Sequence, residues 1–132
     1  MNNPTTPGLI DTGVMVAWAH GHLSAGRFVL AMLRVGGIQF SQLTAMELLA
    51  GCQTDTERAS VLRFVGASHV VSLSDAIAQR AFDLLAALAL PLALTPSDAL
   101  VAATAIEQSL PLYTLDPARF AAVPGLAAIQ PY

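Results

Sequence analysis

Lysine is absent from this chain, and its basic charge rests on six arginines: Arg27, Arg34, Arg58, Arg63, Arg80 and Arg119. With a net charge of −3, no broad cationic face for duplex nucleic acid can form. Cysteine occurs once, as Cys52, which excludes an internal disulfide and suits a reducing cytoplasm. Charged residues make up only 11% of the chain against 55% hydrophobic ones, so a disordered chain is excluded. Such a sparse polar surface predicts that apolar patches are covered by a partner or by a second copy, and a homodimer is expected. The longest apolar run, Leu84 to Leu94, is broken by Pro91 and falls well short of the roughly 20 residues a membrane helix needs. Residues 1 to 8 are polar, contain two prolines and carry no signal-peptide pattern, so a soluble cytoplasmic protein is expected. Gly36-Gly37 is followed by no lysine, which argues against a phosphate-cradling loop.

What is present alternates between strand and helix patterns, and 132 residues suit one domain, 1–132. Leu9 to Asp11 reads as a strand entering a helix over Val14 to His20. Ser24 to Val35 has apolar residues at helical spacing and stops at Gly36-Gly37. Ile38 to Phe40 is a short strand, and Thr44 is expected to cap the next helix with Glu47 as its reciprocal partner. Thr54 to Val65 is amphipathic, Ser68 to Leu73 is β-like, and Ser74 to Ala89 is a long helix that Pro91 ends. Thr95 caps a helix apolar nearly all round, Leu112 to Asp116 is a strand, a helical turn follows Pro117, and Leu126 to Ile129 is a last strand. This alternation predicts an α/β domain with three α/β/α layers and a five-stranded parallel sheet, order 3-2-1-4-5.

The acids gain meaning from that arrangement. From Asp98 to Ser109 the helix rises roughly 16 Å at about 1.5 Å per residue. The strand to Asp116 returns roughly 13 Å at about 3.3 Å per residue, which brings Asp98 and Asp116 to one end of the pair. Asp11 ends a strand and Glu47 begins a helix at that same edge, where open α/β sheets bind ligands. Each acid has a bland explanation as a cap or turn residue. Four gathered carboxylates would repel and raise one another's pKa, however, and a hard divalent ion is an economical reason to collect them. His20 and His22 read as surface polarity, Trp18 as core, and Cys52 as unreactive.

Leu9-Ile-Asp-Thr12, Leu43-Thr-Ala-Met-Glu-Leu-Leu-Ala-Gly51, Asp98-Ala-Leu-Val-Ala-Ala-Thr-Ala105 and Leu112-Tyr-Thr-Leu-Asp116 followed by Phe120 resemble the successive motifs of PIN-domain ribonucleases, specifically VapC toxins of toxin–antitoxin pairs. The resemblance implies a Mg²⁺- or Mn²⁺-dependent endoribonuclease with Asp11, Glu47, Asp98 and Asp116 as metal-binding and catalytic acids. It also implies support from the Thr12 and Thr114 hydroxyls and a cognate antitoxin protein as partner. Gly13 departs from the Asn or Ser common there. Arg27, Arg34 and Arg119 are the candidate RNA contacts, with the metal supplying the cationic charge that the surface lacks.

Two other readings compete. A PIN-like fold could serve as a non-catalytic binding domain. Asp11-Thr12-Gly13 is also the local signature of a dimeric aspartic protease, with Gly36-Gly37-Ile38 resembling a flap. That fold is nearly all β, whereas helical segments dominate here.

Overall fold

The computed structural model describes residues 6–132, so most of the stretch read for a leader, residues 1–5, lies outside the described residues. Among the described residues, five short strands and seven helices follow one another: β1 Leu9–Ile10, α1 Thr12–Ala19, α2 Leu23–Val35, β2 Gln39–Ser41, α3 Gln42–Ala50, α4 Asp55–Ala67, β3 His69–Val71, α5 Asp75–Leu92, α6 Pro96–Glu107, β4 Leu112–Tyr113, α7 Pro117–Phe120 and β5 Ala128–Ile129. Every strand pairing is parallel: β1 with β4, β4 with β5, and β2 with β3. The ladders form two pieces, β1-β4-β5 and β2-β3, and β1 packs beside β2 between them. The expected order 3-2-1-4-5 is therefore present as a sequence of neighbours. A continuous five-stranded ladder is not formed among the described residues, because the chain leaves β1 after two residues to enter α1.

Alternation along the strands builds the layers, since successive side chains point to opposite faces. Leu9 and Leu112 enter one buried cluster with Ile77 and Ala81 of α5 and the alanines of α6. Their neighbours Ile10 and Tyr113 enter the other with Val14 and Met15 of α1 and Phe28, Val29 and Met32 of α2. Ala99, Ala102, Ala103 and Ala105 are each fully buried, so α6 can approach the sheet closely. Trp18 packs against Phe64 at a ring-centroid distance of 4.6 Å, the core role expected of it.

Several local boundaries differ from the sequence expectation for identifiable reasons. Pro91 does not end α5, which runs to Leu92 before Ala93 turns it off in the left-handed region at φ 52°. Proline disturbs the turn before it, and in the final turn few interior bonds remain to lose. His22 is not loop polarity alone: its Nδ1 accepts from the Ala25 amide at 3.4 Å and caps α2. Ser74 is the cap of α5 and not its first residue, so the helix begins at Asp75. Asp11-Thr12-Gly13 lies at a strand-to-helix junction of a parallel α/β fold, and Gly36 caps α2, which removes the protease reading.

Candidate active site at the carboxyl edge of the sheet

Parallel strands bring the ends of β1 and β4 together, and the residues just beyond them carry the polar chemistry. Asp11 follows β1 and caps α1: its Oδ1 accepts from the Thr12 amide at 2.8 Å. Its other oxygen, Oδ2, accepts from the Thr114 hydroxyl at 2.8 Å. Thr114 Oγ1 in turn accepts from the Asp116 amide at 3.1 Å, so one buried hydroxyl ties the acid after β1 to the one that caps α7.

A second hydroxyl chain holds Glu47. Thr12 Oγ1 donates to Glu47 Oε1 at 2.9 Å and lies 2.9 Å from Thr44 Oγ1. A hydroxyl has one proton to give, so Thr44 is the donor to Thr12 in this chain. Thr44 does not cap α3 with Glu47 as reciprocal partner, as the sequence had suggested. Ser41 is the cap, its Oγ accepting from the Leu43 amide at 3.1 Å, and α3 begins at Gln42. Ser41 supplies the cap earlier because β2 ends on it. Thr44 is left fully buried one helical turn before Glu47, where its hydroxyl props Thr12.

Asp98 holds the expected capping box. The Thr95 amide donates to Asp98 Oδ2 at 3.0 Å, and the Asp98 amide donates to Thr95 Oγ1 at 3.1 Å. Asp98 and Asp116 also meet as anticipated, through a third residue. Arg119 Nη1 donates to Asp98 Oδ2 at 2.7 Å and Arg119 Nε donates to Asp116 Oδ2 at 3.3 Å. The geometry follows from Asp116 capping α7, which places Arg119 one turn along, where it can face back to the start of α6.

The electrostatics separate the acids. Burial pushes the Asp11 carboxyl above its ordinary range, and the charges of Asp98 and Glu47 add to this, while the bonds from Thr114 and Thr12 oppose it. Asp98 goes the other way: burial raises it, but the bonds from the Thr95 backbone and Arg119 outweigh burial and hold it low. Mutual repulsion does not raise every member of the set, because a guanidinium already sits between two of them.

Arg27 and Arg34 are not brought to these acids. Both are exposed on α2 and have no hydrogen bond or ion pair to the four carboxylates among the described residues. Gly13 is exposed in the first turn of α1, and a Cβ there would meet nothing within 4 Å, so close packing does not require glycine at this place.

By chemistry the residues suit a hard divalent cation: Asp11, Glu47, Asp98 and Asp116 offer only oxygen donors, and Asp11 lies in the field of two of the others. Their positions are looser than a closed site. Among the described residues, no group of three or more His, Cys, Asp or Glu side chains is gathered tightly enough to hold a metal ion.

Residues 8–126 match the family model described as PIN domain. The chain belongs to the PIN domain family. A comparison with curated protein sequences finds no match. Among solved structures, this PIN domain is similar to a toxin–antitoxin complex from Klebsiella pneumoniae, at 24% identity over 95% of this chain and 98% of that one, with a TM-score of 0.75. It is similar to VapBC2 from Rickettsia felis bound to a DNA fragment from their promoter, at 20% identity over 92% and 96% of the two chains, TM-score 0.77. It is also similar to VapBC-5 from Mycobacterium tuberculosis, a member of the VapBC family of toxin–antitoxin systems, at 22% identity over 96% and 99%, TM-score 0.68. At these identities the likeness establishes a shared fold.

Proposed function

We propose that this PIN domain is an endoribonuclease dependent on Mg²⁺ or Mn²⁺ and acts as the toxin of a toxin–antitoxin pair. The observation that carries the reading is Asp11: a largely buried carboxylate beyond β1, propped by Thr114 and raised in part by the charges of Asp98 and Glu47. An acid kept in that environment is an unfavourable choice for a mere cap. Asp11, Glu47, Asp98 and Asp116 would hold the cation, which when bound supplies Lewis acidity toward a phosphodiester and its attacking water. The chain's own residues do the positioning. Thr114 fixes the Asp11 carboxylate, and the Thr44–Thr12 hydroxyl pair fixes Glu47. Cleavage of total cellular RNA with Mg²⁺, and its loss with a chelator, tests the reading.

The partner assignment rests on the solved neighbours together with a surface of this chain. Leu23, Leu30 and Leu33 are exposed on α2, beside Arg27 and Arg34. An apolar stripe with basic edges suits an amphipathic antitoxin helix carrying acids better than it suits RNA, so these two arginines are reassigned from substrate to partner. Copurification of the chain with its neighbouring small protein, and relief of growth arrest on coexpression, would support it. A soluble location follows from the same reading, and no helix among the described residues is long and apolar enough to cross a membrane.

A second reading, a non-catalytic PIN-fold binding domain, is favoured by one observation: Asp98 and Asp116 are already engaged by Arg119. A calorimetric titration with Mn²⁺ that showed no binding would select it.

A further inference from the structure

Among the described residues Arg119 is the one cation paired with these acids, and from the sequence it was a candidate RNA contact. Its guanidinium joins the start of α6 to the start of α7, with Nη1 2.7 Å from Asp98 Oδ2 and Nε 3.3 Å from Asp116 Oδ2. Its own backbone amide donates to Asp116 Oδ1 at 3.3 Å, so both Asp116 oxygens are occupied by the same residue. On Asp98 the bonds from Thr95 and Arg119 converge on Oδ2, and Oδ1 has no donor among the described residues. The Arg119 side chain is 39% exposed, so nothing buries the bridge against exchange. A charge-assisted bond at 2.7 Å is short enough to matter, and a partly solvated one is weak enough to open.

We propose that Arg119 is a built-in competitor for the divalent cation: it occupies Asp98 and Asp116 in the metal-free protein and must release them, or share them at a cost in charge repulsion, when metal binds. The inference rests on the metal-dependent reading of the site. It accounts for an acidic set that is not gathered into a closed metal site, since two of the four acids are bonded to a guanidinium. It also assigns Arg119 a positioning role, setting the metal concentration at which the site fills, and leaves a freed guanidinium beside the site once it does.

The test is calorimetric titration of the full-length protein with Mn²⁺ alone, without RNA, for the wild type, Arg119→Ala and Arg119→Lys. Arg119→Ala is expected to bind Mn²⁺ about five- to tenfold more tightly, as removal of a partly exposed competing ion pair allows. Arg119→Lys keeps the charge but loses the fork geometry, and falls between the other two. In a parallel melting experiment, Arg119→Ala lowers Tm without metal and shows a larger rise in Tm with saturating Mn²⁺ than the wild type. Unchanged or weaker Mn²⁺ affinity in Arg119→Ala overturns the proposal even if RNA cleavage is intact. Absence of Mn²⁺ binding in all three proteins overturns it together with the nuclease reading, whereas tighter binding without RNA cleavage supports it and sinks the nuclease reading alone.

Discussion

Thr114 donates its hydroxyl to Asp11 Oδ2 at 2.8 Å across the β1–β4 pair, and the same oxygen accepts from the Asp116 amide at 3.1 Å. Thr114→Val keeps the shape and removes both bonds. It should cost about 1–3 kcal/mol, the penalty for leaving buried polar partners unmatched. Urea denaturation measures this. Thr114→Ser restores the hydroxyl and should recover most of the loss; a Ser variant no better than Val would show that the methyl, not the hydroxyl, is what the site needs.

The two neighbouring acids should respond oppositely to loss of charge. Asp11 is raised above 3.8, so its ionisation works against the fold, and stability declines as pH rises through that folded value. Asp98 is lowered below 3.8, so it contributes stability above that pH, and the contribution is lost as pH falls through its folded value. Without metal at neutral pH, Asp11→Asn should be as stable as the wild type or more so. Asp98→Asn should lose on the order of 1 kcal/mol, typical of a weakened cap. Equal effects of the two substitutions on Tm would refute the division.

Gly8 and Gly13 make a matched pair for packing. A methyl group at Gly8 would come within 2.5 Å of the Tyr113 ring and 3.0 Å of the Pro111 carbonyl oxygen. Tyr113 is held in place by its hydroxyl bond to the Thr6 carbonyl at 2.7 Å, so Gly8→Ala should lower Tm clearly. At Gly13 nothing lies within 4 Å, and Gly13→Ala in the first turn of α1 should be neutral or stabilising by up to about 1 kcal/mol. Thermal melts of both variants decide it.

The parallel α/β architecture was legible because strand and helix periods alternate and because apolar pairs such as Leu9-Ile10 and Leu112-Tyr113 must serve two faces at once. The meeting of Asp98 and Asp116 followed from helix rise and strand rise alone, and the Thr95 capping box is present as the sequence suggests. The Thr44 cap was not legible, since Ser41 and Thr44 are both good caps and only the end of β2 decides between them. The Arg119 bridge was not legible for a related reason. Its spacing after Asp116 pointed to a helix-turn contact, but the approach to Asp98 depends on how α7 lies against the start of α6, which no local pattern encodes. That Arg27 and Arg34 lie on α2 away from the four acids was likewise not legible, because one-dimensional charge does not place a side chain relative to a sheet edge.

A metal-dependent ribonuclease built on Asp11 is distinguished from a binding domain by incubating purified protein with total cellular RNA in Mg²⁺, in excess chelator, and as the Asp11→Asn variant. The wild type should cleave in Mg²⁺ alone, with no cleavage in chelator and none by a folded Asp11→Asn protein. Cleavage that persists in chelator, or that survives Asp11→Asn undiminished, would contradict it.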